Sequence, residues 1–267
     1  MTHVSLAKYT AIIRINLRER ATYSLDVLSK APQVMFRLWI MFSFYGVVLQ
    51  TQPAAAATTT LNQLLWTLTI LQAFSGRGHP RIAEIINDEV KSGLIAYSIN
   101  RPYSYLLFQY CNFLGKSLPV IAARLIAGSI AALFFVGLPS TSPTALLAGT
   151  LLLIGGFTLD FFIGLSIGIL SFWIEDSVAL DMLYSKILLV LGGFLVPLSL
   201  FPPTLRSVLE YSPFSQLAYS AGYLITHFQW PLFYRYCATQ ALWIAISWLC
   251  AYWLFKRGMR HVAINGG

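Results

Sequence analysis

The stretch LPVIAARLIAGSIAALFFVG, residues 118–137, decides the fold class of this chain. It is apolar and close to the roughly 20 residues that a helix needs to cross a bilayer. Similar runs recur along a sequence that is 57% hydrophobic and only 10% charged, whereas a soluble domain carries about 25% charged residues. The composition therefore predicts an all-α, polytopic membrane protein, because long unbroken apolar runs are typical of spanning helices and not of barrel strands.

The residues just before this stretch, Gly115-Lys116-Ser117, resemble the end of a nucleotide-binding P-loop. That motif, G-x-x-x-x-G-K-[ST], needs a first glycine for the sharp turn that presents backbone N–H groups to phosphate. Tyr110 occupies that position here. We interpret Lys116 as a lysine at a membrane boundary, with its stem in lipid and its ammonium in water. No ATP site or other cofactor site is predicted in this chain.

Six apolar runs are predicted to span the membrane. The second is short, with its start placed in the run 54–60, and the fourth is long. The runs cover about Ala31–Gln50, Leu61–Phe74, Ser117–Leu138, Thr144–Ile174, Leu183–Leu200 and Ala238–Phe255.

The net charge of +8 is explained by membrane topology and not by nucleic-acid binding. Lys and Arg cluster before the first run, between the second and third, and after the sixth, while the loops near residues 51–60 and 139–144 carry no charge. The positive-inside rule therefore places both termini in the cytoplasm. We treat residues 1–267 as a single transmembrane domain.

Two non-spanning segments are predicted on the cytoplasmic side. Within residues 1–30, an amphipathic helix has an apolar stripe formed by Leu6, Tyr9, Ile13 and Leu17. Within residues 75–116, a second amphipathic helix begins near His79-Pro80 and stops at Gly93. Its stripe includes Ile82, Ile85 and Ile86, and its polar residues include Asp88, Glu89 and Lys91; Arg101 follows in a turn. Such a stripe must be covered, by a soluble partner or by the protein's own spans.

Residues 201–231 form the third non-spanning segment, on the outer side. Prolines and aromatic residues there predict short re-entrant helices that enter the outer membrane surface without crossing it. Arg206 and Glu210 are four residues apart on the first of these helices and are predicted to pair.

Three stretches together resemble a known family: EIINDEVKSGLIAYSINRP (84–102), GGFLVPLSLFPPTLRSVLEYSPFSQLAYS (192–220) and the ending KRGMRHVAINGG (256–267). With six spans and an N-terminal elbow helix, the chain is similar to the membrane subunits of type-2 ABC exporters, in a branch of uncharacterised bacterial permeases. The resemblance implies a multi-pass subunit of the bacterial cytoplasmic membrane that pairs with a second permease, alike or different. It also implies separate ATPase subunits, which bind the ATP and Mg²⁺.

The resemblance further implies that the 75–116 segment holds a coupling helix that docks in a groove of the ATPase. Ile82 would belong to this helix, Ile85 and Ile86 would pack into the groove, and Asp88, Glu89, Lys91 and Arg101 would form a polar rim. The alternative is a loop that folds on its own spans.

Several residues inside the apolar runs are candidates for further roles. Asp160 is either a residue of the transport pathway or a structural acid, protonated or bonded to Thr158 or Ser166. Gly164 and Gly168 form a G-x-x-x-G pattern that permits close helix approach. Gly192 and Gly193, with Pro197, are predicted to bend the fifth helix as part of a gate.

Other chemistry is not indicated by the sequence. Three scattered cysteines and four separated histidines have no metal-ligand spacing, and Glu175, Asp176 and Asp181 indicate a second ATPase contact or a solvated face. A secondary transporter or channel is the alternative function, and a membrane-embedded enzyme is a third. The aromatic residues of the fourth run, Phe157, Phe161, Phe162, Phe172 and Trp173, suit either an amphiphilic, lipid-like cargo or simple packing.

Overall fold

The computed structural model describes residues 2–22, 31–51, 59–74, 81–101, 103–174 and 176–265. Every regular element within these ranges is a helix. We number the α-helices in chain order: α1 Thr2–Thr22, α2 Ala31–Thr51, α3 Leu61–Phe74, α4 Ile82–Lys91, α5 Leu94–Ile99, α6 Tyr105–Val136, α7 Pro143–Ile169, α8 Val178–Leu191, α9 Pro203–Glu210, α10 Pro213–Gln216, α11 Tyr219–Thr226 and α12 Trp230–Asn265. Short 3₁₀ turns cover Leu170–Phe172 and Leu198–Leu200.

Four of the described helices are long and apolar enough to cross a membrane: α2, α6, α7 with its 3₁₀ turn, and α12 as far as Arg260. The two other runs predicted to span correspond to α3 and α8, each of 14 residues. At 1.5 Å per residue, 14 residues cover about 21 Å, which is less than the hydrocarbon core of roughly 30 Å. The helical architecture was therefore predicted correctly, whereas the helix lengths alone establish four candidate spans and not six.

Three helices have bounds that differ from those of the predicted spans. The helix that contains the third predicted span begins at Tyr105, so residues 105–116 are its first turns. The last helix begins at Trp230 and not near Ala238. The fifth run is shifted, because α8 ends at Leu191. In α6 the helix continues through Pro119, a residue that membrane helices tolerate in their interior.

The bundle is organised around two helices, α3 and α7. α3 packs against α2, α6 and α11, and its residues from Leu64 to Ala73 are almost all buried. α7 packs against α12, α4 and α11, and more weakly against α8. Aromatic side chains fill the space between α6 and α7, where Phe113 stacks on Phe157 with 4.4 Å between ring centroids. Phe157 and Phe161 are buried, so these two rings pack the core of the chain.

Glycines on α7 fix the positions of the short helices along it. A side chain at Gly149 would meet Ile225 of α11, and one at Gly156 would meet the backbone of Leu217. Near the other end, side chains at Gly164 and Gly168 would meet α4. Gly149 and Gly168 are about 28 Å apart along a helix axis. The α4–α5 segment and the α9–α11 segment therefore lie near opposite ends of the bundle, as the predicted topology requires.

The N-terminal helix α1 packs on the first half of α6. Tyr9, Ile13 and Leu17 are half-buried there, and the Asn16 amide donates to Asn112 Oδ1 at 2.8 Å. A Cβ at Gly115 would lie 2.6 Å from the Asn16 Cβ, so Gly115 allows this close approach. The side chain of Leu6 lies outside the described residues. Gly115 lies inside a continuous helix and not in a turn, and it serves the packing of α1 on α6.

Candidate coupling surface

The helix predicted within the loop is present as α4, and it stops at the predicted glycine. Gly93 adopts φ +72°, a left-handed conformation that glycine adopts without steric cost. Its N–H and that of Ser92 cap the helix by donating to the carbonyls of Val90 and Asp88. A second short helix, α5, begins immediately afterwards at Leu94. The sequence therefore forms two helices in the loop, separated by one glycine turn.

The apolar stripe of α4 faces its own chain. Ile82 meets Gly164, while Ala83 and Ile86 meet Gly168, so the predicted glycine pair of α7 receives α4. Ile86 is 0% exposed and Ile82 is also buried. The hypothesis that Ile86 fills a groove in a partner is therefore not compatible with this structure, because its surface is already covered. Ile85 remains partly exposed.

Glu89 also faces the chain and not a partner rim. Its Oε2 accepts a hydrogen bond from the Tyr105 hydroxyl at 2.6 Å, and its Oε1 accepts one from the Gln109 amide at 3.1 Å. Tyr105 and Gln109 are both buried on α6. A carboxylate bonded to two side chains of a spanning helix fixes α4 to that helix, so Glu89 has a positioning role that its polar character in the sequence did not indicate.

Further polar contacts connect α4 and the residue before it to α8 and to the segment that precedes α8. The buried Asn87 Oδ1 accepts from the backbone N–H of Ser177 at 3.1 Å. Arg81 pairs with the buried Asp181 at 3.2 Å, and Lys91 pairs with Asp176 at 3.8 Å. Asp176 and Asp181 are thus engaged within the chain, while Glu175 lies outside the described residues.

The exposed apolar surface of this segment comes mainly from α5, which the sequence did not assign to the site. Leu94 and Tyr97 are 59% and 67% exposed. The Arg101 guanidinium lies 4.9 Å from the Tyr97 ring centroid and donates to the Tyr103 hydroxyl at 2.7 Å. Asp88 and Lys91 are exposed at the neighbouring edge of α4. In the sequence, this surface is indicated by the short apolar run that follows Gly93, where α4 ends.

The family follows from a comparison with known proteins. A family model described as "ABC-2 family transporter protein" matches residues 60–266, which extend from the start of α3 to the end of α12. The chain belongs to this family. No curated protein matches it. The family confirms the resemblance drawn from residues 84–102 and 192–220, and it makes the chain a membrane permease subunit of an ABC transporter, a class that associates with ABC ATPase subunits.

Asp160 of this ABC-2 permease accepts a hydrogen bond from the Tyr184 hydroxyl of α8 at 3.0 Å. The two predicted partners are bonded elsewhere. Thr158 donates to the carbonyl of Ile154, and Ser166 donates to that of Phe162. The acid therefore connects α7 to α8, a contact that sequence neighbours could not reveal. Whether Asp160 also serves transport stays a prediction.

Gly192, Gly193 and Pro197 end a helix in the permease and do not bend one. α8 stops at Leu191, and Gly193 has φ +80°. A Cβ at Gly193 would also lie 2.9 Å from the Tyr219 ring. The positive φ terminates the helix there, so these residues form the turn into the α9–α11 segment. A gating role for this turn stays a prediction.

The predicted pair Arg206–Glu210 is present in the α9–α11 segment. Arg206 Nε lies 2.7 Å from Glu210 Oε1, and Arg235 of α12 adds a second contact at 2.8 Å from Oε2. The Glu210 carboxylate thereby holds α9 against α12. Beside this cluster, His227 stacks on Tyr223 with 4.2 Å between centroids, and burial lowers the pKa of His227, which favours its neutral form at pH 7.

Arg124 is a residue that the sequence reasoning missed. It lies near the middle of α6 and is buried. A charged residue within a spanning helix is a functional candidate by default, because its desolvation is costly. The signal was available, since Arg124 is the one charged residue in the stretch 118–137.

Proposed function

We propose that this ABC-2 permease forms half of the translocation pathway of an ATP-driven exporter, together with a second permease of the same or a different chain. ATP and Mg²⁺ would be bound and used by separate ATPase subunits. The subunit would lie in the bacterial cytoplasmic membrane with both termini in the cytoplasm. Six spans are proposed, of which α3 and α8 are the two short ones.

The proposed coupling to the ATPase is supported by a difference in side-chain exposure between α4 and α5. Leu94 and Tyr97 present an apolar surface beside the charged groups of Asp88, Lys91 and Arg101. An apolar centre with a charged rim is typical of a protein docking surface. We propose that the ATPase docks on α5 and on the exposed edge of α4.

The attachment of α4 supports a mechanical role for this surface. Movement of an ATPase bound at α5 would be passed to α4 across the single turn at Gly93. From α4 it would reach α6 through Glu89 and Tyr105, and α7 through the contact of Ile86 with Gly168. Close-packed contacts of this kind transmit displacement because they leave no space for side chains to absorb it.

The experiment compares two matched substitutions at opposite ends of the bundle. Leu94→Asp places a charge at the proposed docking surface, and Val208→Asp places one on α9, where Val208 is 68% exposed. The tagged permease is purified from its native membrane, and the copurifying ABC ATPase is quantified together with ATP hydrolysis in vesicles. Because burying a leucine contributes about 1.5–3 kcal/mol, we expect the Leu94 variant to retain roughly tenfold less ATPase.

The Val208 variant should retain as much ATPase as the parent protein. Equal retention by both variants, with normal hydrolysis, would show that the ATPase docks elsewhere on the permease. If the parent permease copurifies with no ATPase and still transports in ATP-depleted vesicles, the exporter proposal itself fails and a secondary transporter becomes the better explanation.

A further inference from the structure

A groove with a volume of about 410 Å³ opens between the ends of α7 and α12. Leu170 and Trp173 line it on the α7 side, and Trp253, Leu254, Arg257 and Arg260 line it on the α12 side. The two walls are held together at Gly258, where a side chain would collide with the Phe172 ring. The groove therefore combines tryptophan rings, leucine side chains and two guanidinium groups in one concave surface.

The α12 wall continues an exposed apolar stripe that runs along the spanning part of the helix. Spacings of three and four residues place the members of this stripe on one helical face. Each apolar member is 44–57% exposed, and the two arginines complete the stripe at its end: Leu242, Ile246, Leu249, Trp253, Arg257 and Arg260. An apolar surface thus leads directly from the span into the groove and ends in positive charge.

The outermost two of the four tryptophans in α12 indicate the depth of the groove in the membrane. Trp230 and Trp253 of α12 are 54% and 51% exposed. They are about 35 Å apart along the helix axis, which is close to the hydrocarbon thickness of roughly 30 Å. Tryptophan is enriched at both membrane–water interfaces. Trp253 is therefore at one interface, and Arg257 and Arg260 lie about 6 and 10 Å beyond it, in the headgroup layer.

We propose that this groove binds an anionic phospholipid. Its acyl chain would lie along the apolar stripe of α12, and its phosphate would contact Arg257 and Arg260. The Arg257 guanidinium already lies 4.1 Å from the centroid of the Trp253 ring, so stacking holds its planar donor fork at the mouth of the groove. Such a fork binds phosphate oxygens in a bidentate manner. The inference does not depend on the ATPase or on which leaflet the groove faces.

The test uses tryptophan fluorescence, because two rings line the groove. The purified full-length permease is placed in bilayers of phosphatidylcholine that contain a minor fraction of brominated phosphatidylglycerol or, in parallel, brominated phosphatidylcholine. Bromine on an acyl chain quenches tryptophans that it contacts. We expect stronger quenching by the brominated phosphatidylglycerol, and we expect Arg257→Gln or Arg260→Gln to reduce this preference about fivefold, the equivalent of roughly 1 kcal/mol per basic residue.

Lys256→Gln is the matched control, because it removes one charge from an exposed neighbour that does not line the groove. It should change the preference less than twofold. An equal loss in this control would reduce the effect to general surface charge and overturn the proposal. Displacement of the brominated lipid by inorganic phosphate would assign the site to a free anion. Exposed tryptophans outside the groove, such as Trp39 and Trp248, are quenched by either lipid. Equal quenching of the parent protein by the two brominated lipids would therefore also overturn the proposal.

Discussion

The helices α4 and α5 are neighbours in one loop, yet they relate to the rest of the chain in opposite ways. α4 uses its apolar stripe, its asparagine and one glutamate to bind α6, α7 and the segment before α8. α5 buries Ile95 and leaves Leu94 and Tyr97 exposed. The comparison teaches that an amphipathic stripe in a loop does not by itself mark a docking surface. Where a glycine pair on a spanning helix can receive the stripe, the chain covers it internally.

Truncating a buried residue of α4 is the strongest test of the difference between α4 and α5. We expect Ile86→Ala to lower the stability of the permease by about 2–5 kcal/mol, because Ile86 is fully enclosed against Gly168. Leu94→Ala on α5 should change stability by less than about 0.5 kcal/mol. The measurement is thermal unfolding of the solubilised permease. Similar midpoints for the two variants would mean that α4 is not packed as the structure has it.

This contrast also defines how far the sequence could predict the site. The period of Ile82, Ile85 and Ile86 predicted a helix and its apolar face, and Gly93 predicted its end; both predictions are confirmed. Gly164 and Gly168 predicted a close approach, but their spacing carried no information about which helix approaches. Burial of Ile86 and bonding of Glu89 depend on contacts far apart in the chain, so local periodicity could identify the face without identifying what covers it.

The same limit applies outside the loop. The pair Arg206–Glu210 was predictable because four residues separate its members on one helix, whereas the added contact from Arg235 comes from a distant helix. Tyr184 bonds Asp160 across two helices. Of the predicted partners, Ser166 bonds its own helix, and Thr158 bonds its own helix and Tyr110 of α6. Interactions within a helix follow from spacing, and those between helices require the fold.

Filling the glycine that receives α4 should have the next largest effect. A Cβ at Gly168 would lie 2.9 Å from the Cα of Ala83, so Gly168→Leu must displace backbone atoms of α4. We expect a loss of about 1–3 kcal/mol, the usual cost of overpacking. The control is Gly46→Leu on α2, because no atom lies within 4 Å of a Cβ built there. If thermal unfolding shows equal losses, the cause is the change of residue type and not the contact with α4.

Removing the Tyr105 hydroxyl, which bonds Glu89, should weaken the attachment of α4 less than filling Gly168 does. Tyr105→Phe deletes the hydrogen bond to the carboxylate and the one that the hydroxyl accepts from Gln109, and it leaves the bond from Gln109 to Glu89 in place. We expect a loss of about 1 kcal/mol in stability. Hydrogen exchange of the α4 amides should rise while exchange in α11 stays unchanged, because α11 lies at the other end of α7. Unchanged protection in α4 would show that Glu89 does not hold the helix.

The smallest effect on stability is expected at the exposed edge of α4. This edge lies between the buried face of α4 and the exposed surface of α5. Lys91 and Asp176 are 3.8 Å apart, and both side chains are about half-exposed. Water and salt screen such a pair, and ordering two side chains costs entropy, so its contribution is about 0–1 kcal/mol. A double-mutant cycle with Lys91→Gln and Asp176→Asn should therefore give a coupling energy in this range that declines as salt is added.

A coupling energy above about 2 kcal/mol would mean that this edge is as firmly fixed as the face of α4 that packs on Gly168. The boundary between the attached and the available surface would then lie at Gly93 and not along α4, and the proposed docking surface would shrink to α5 alone.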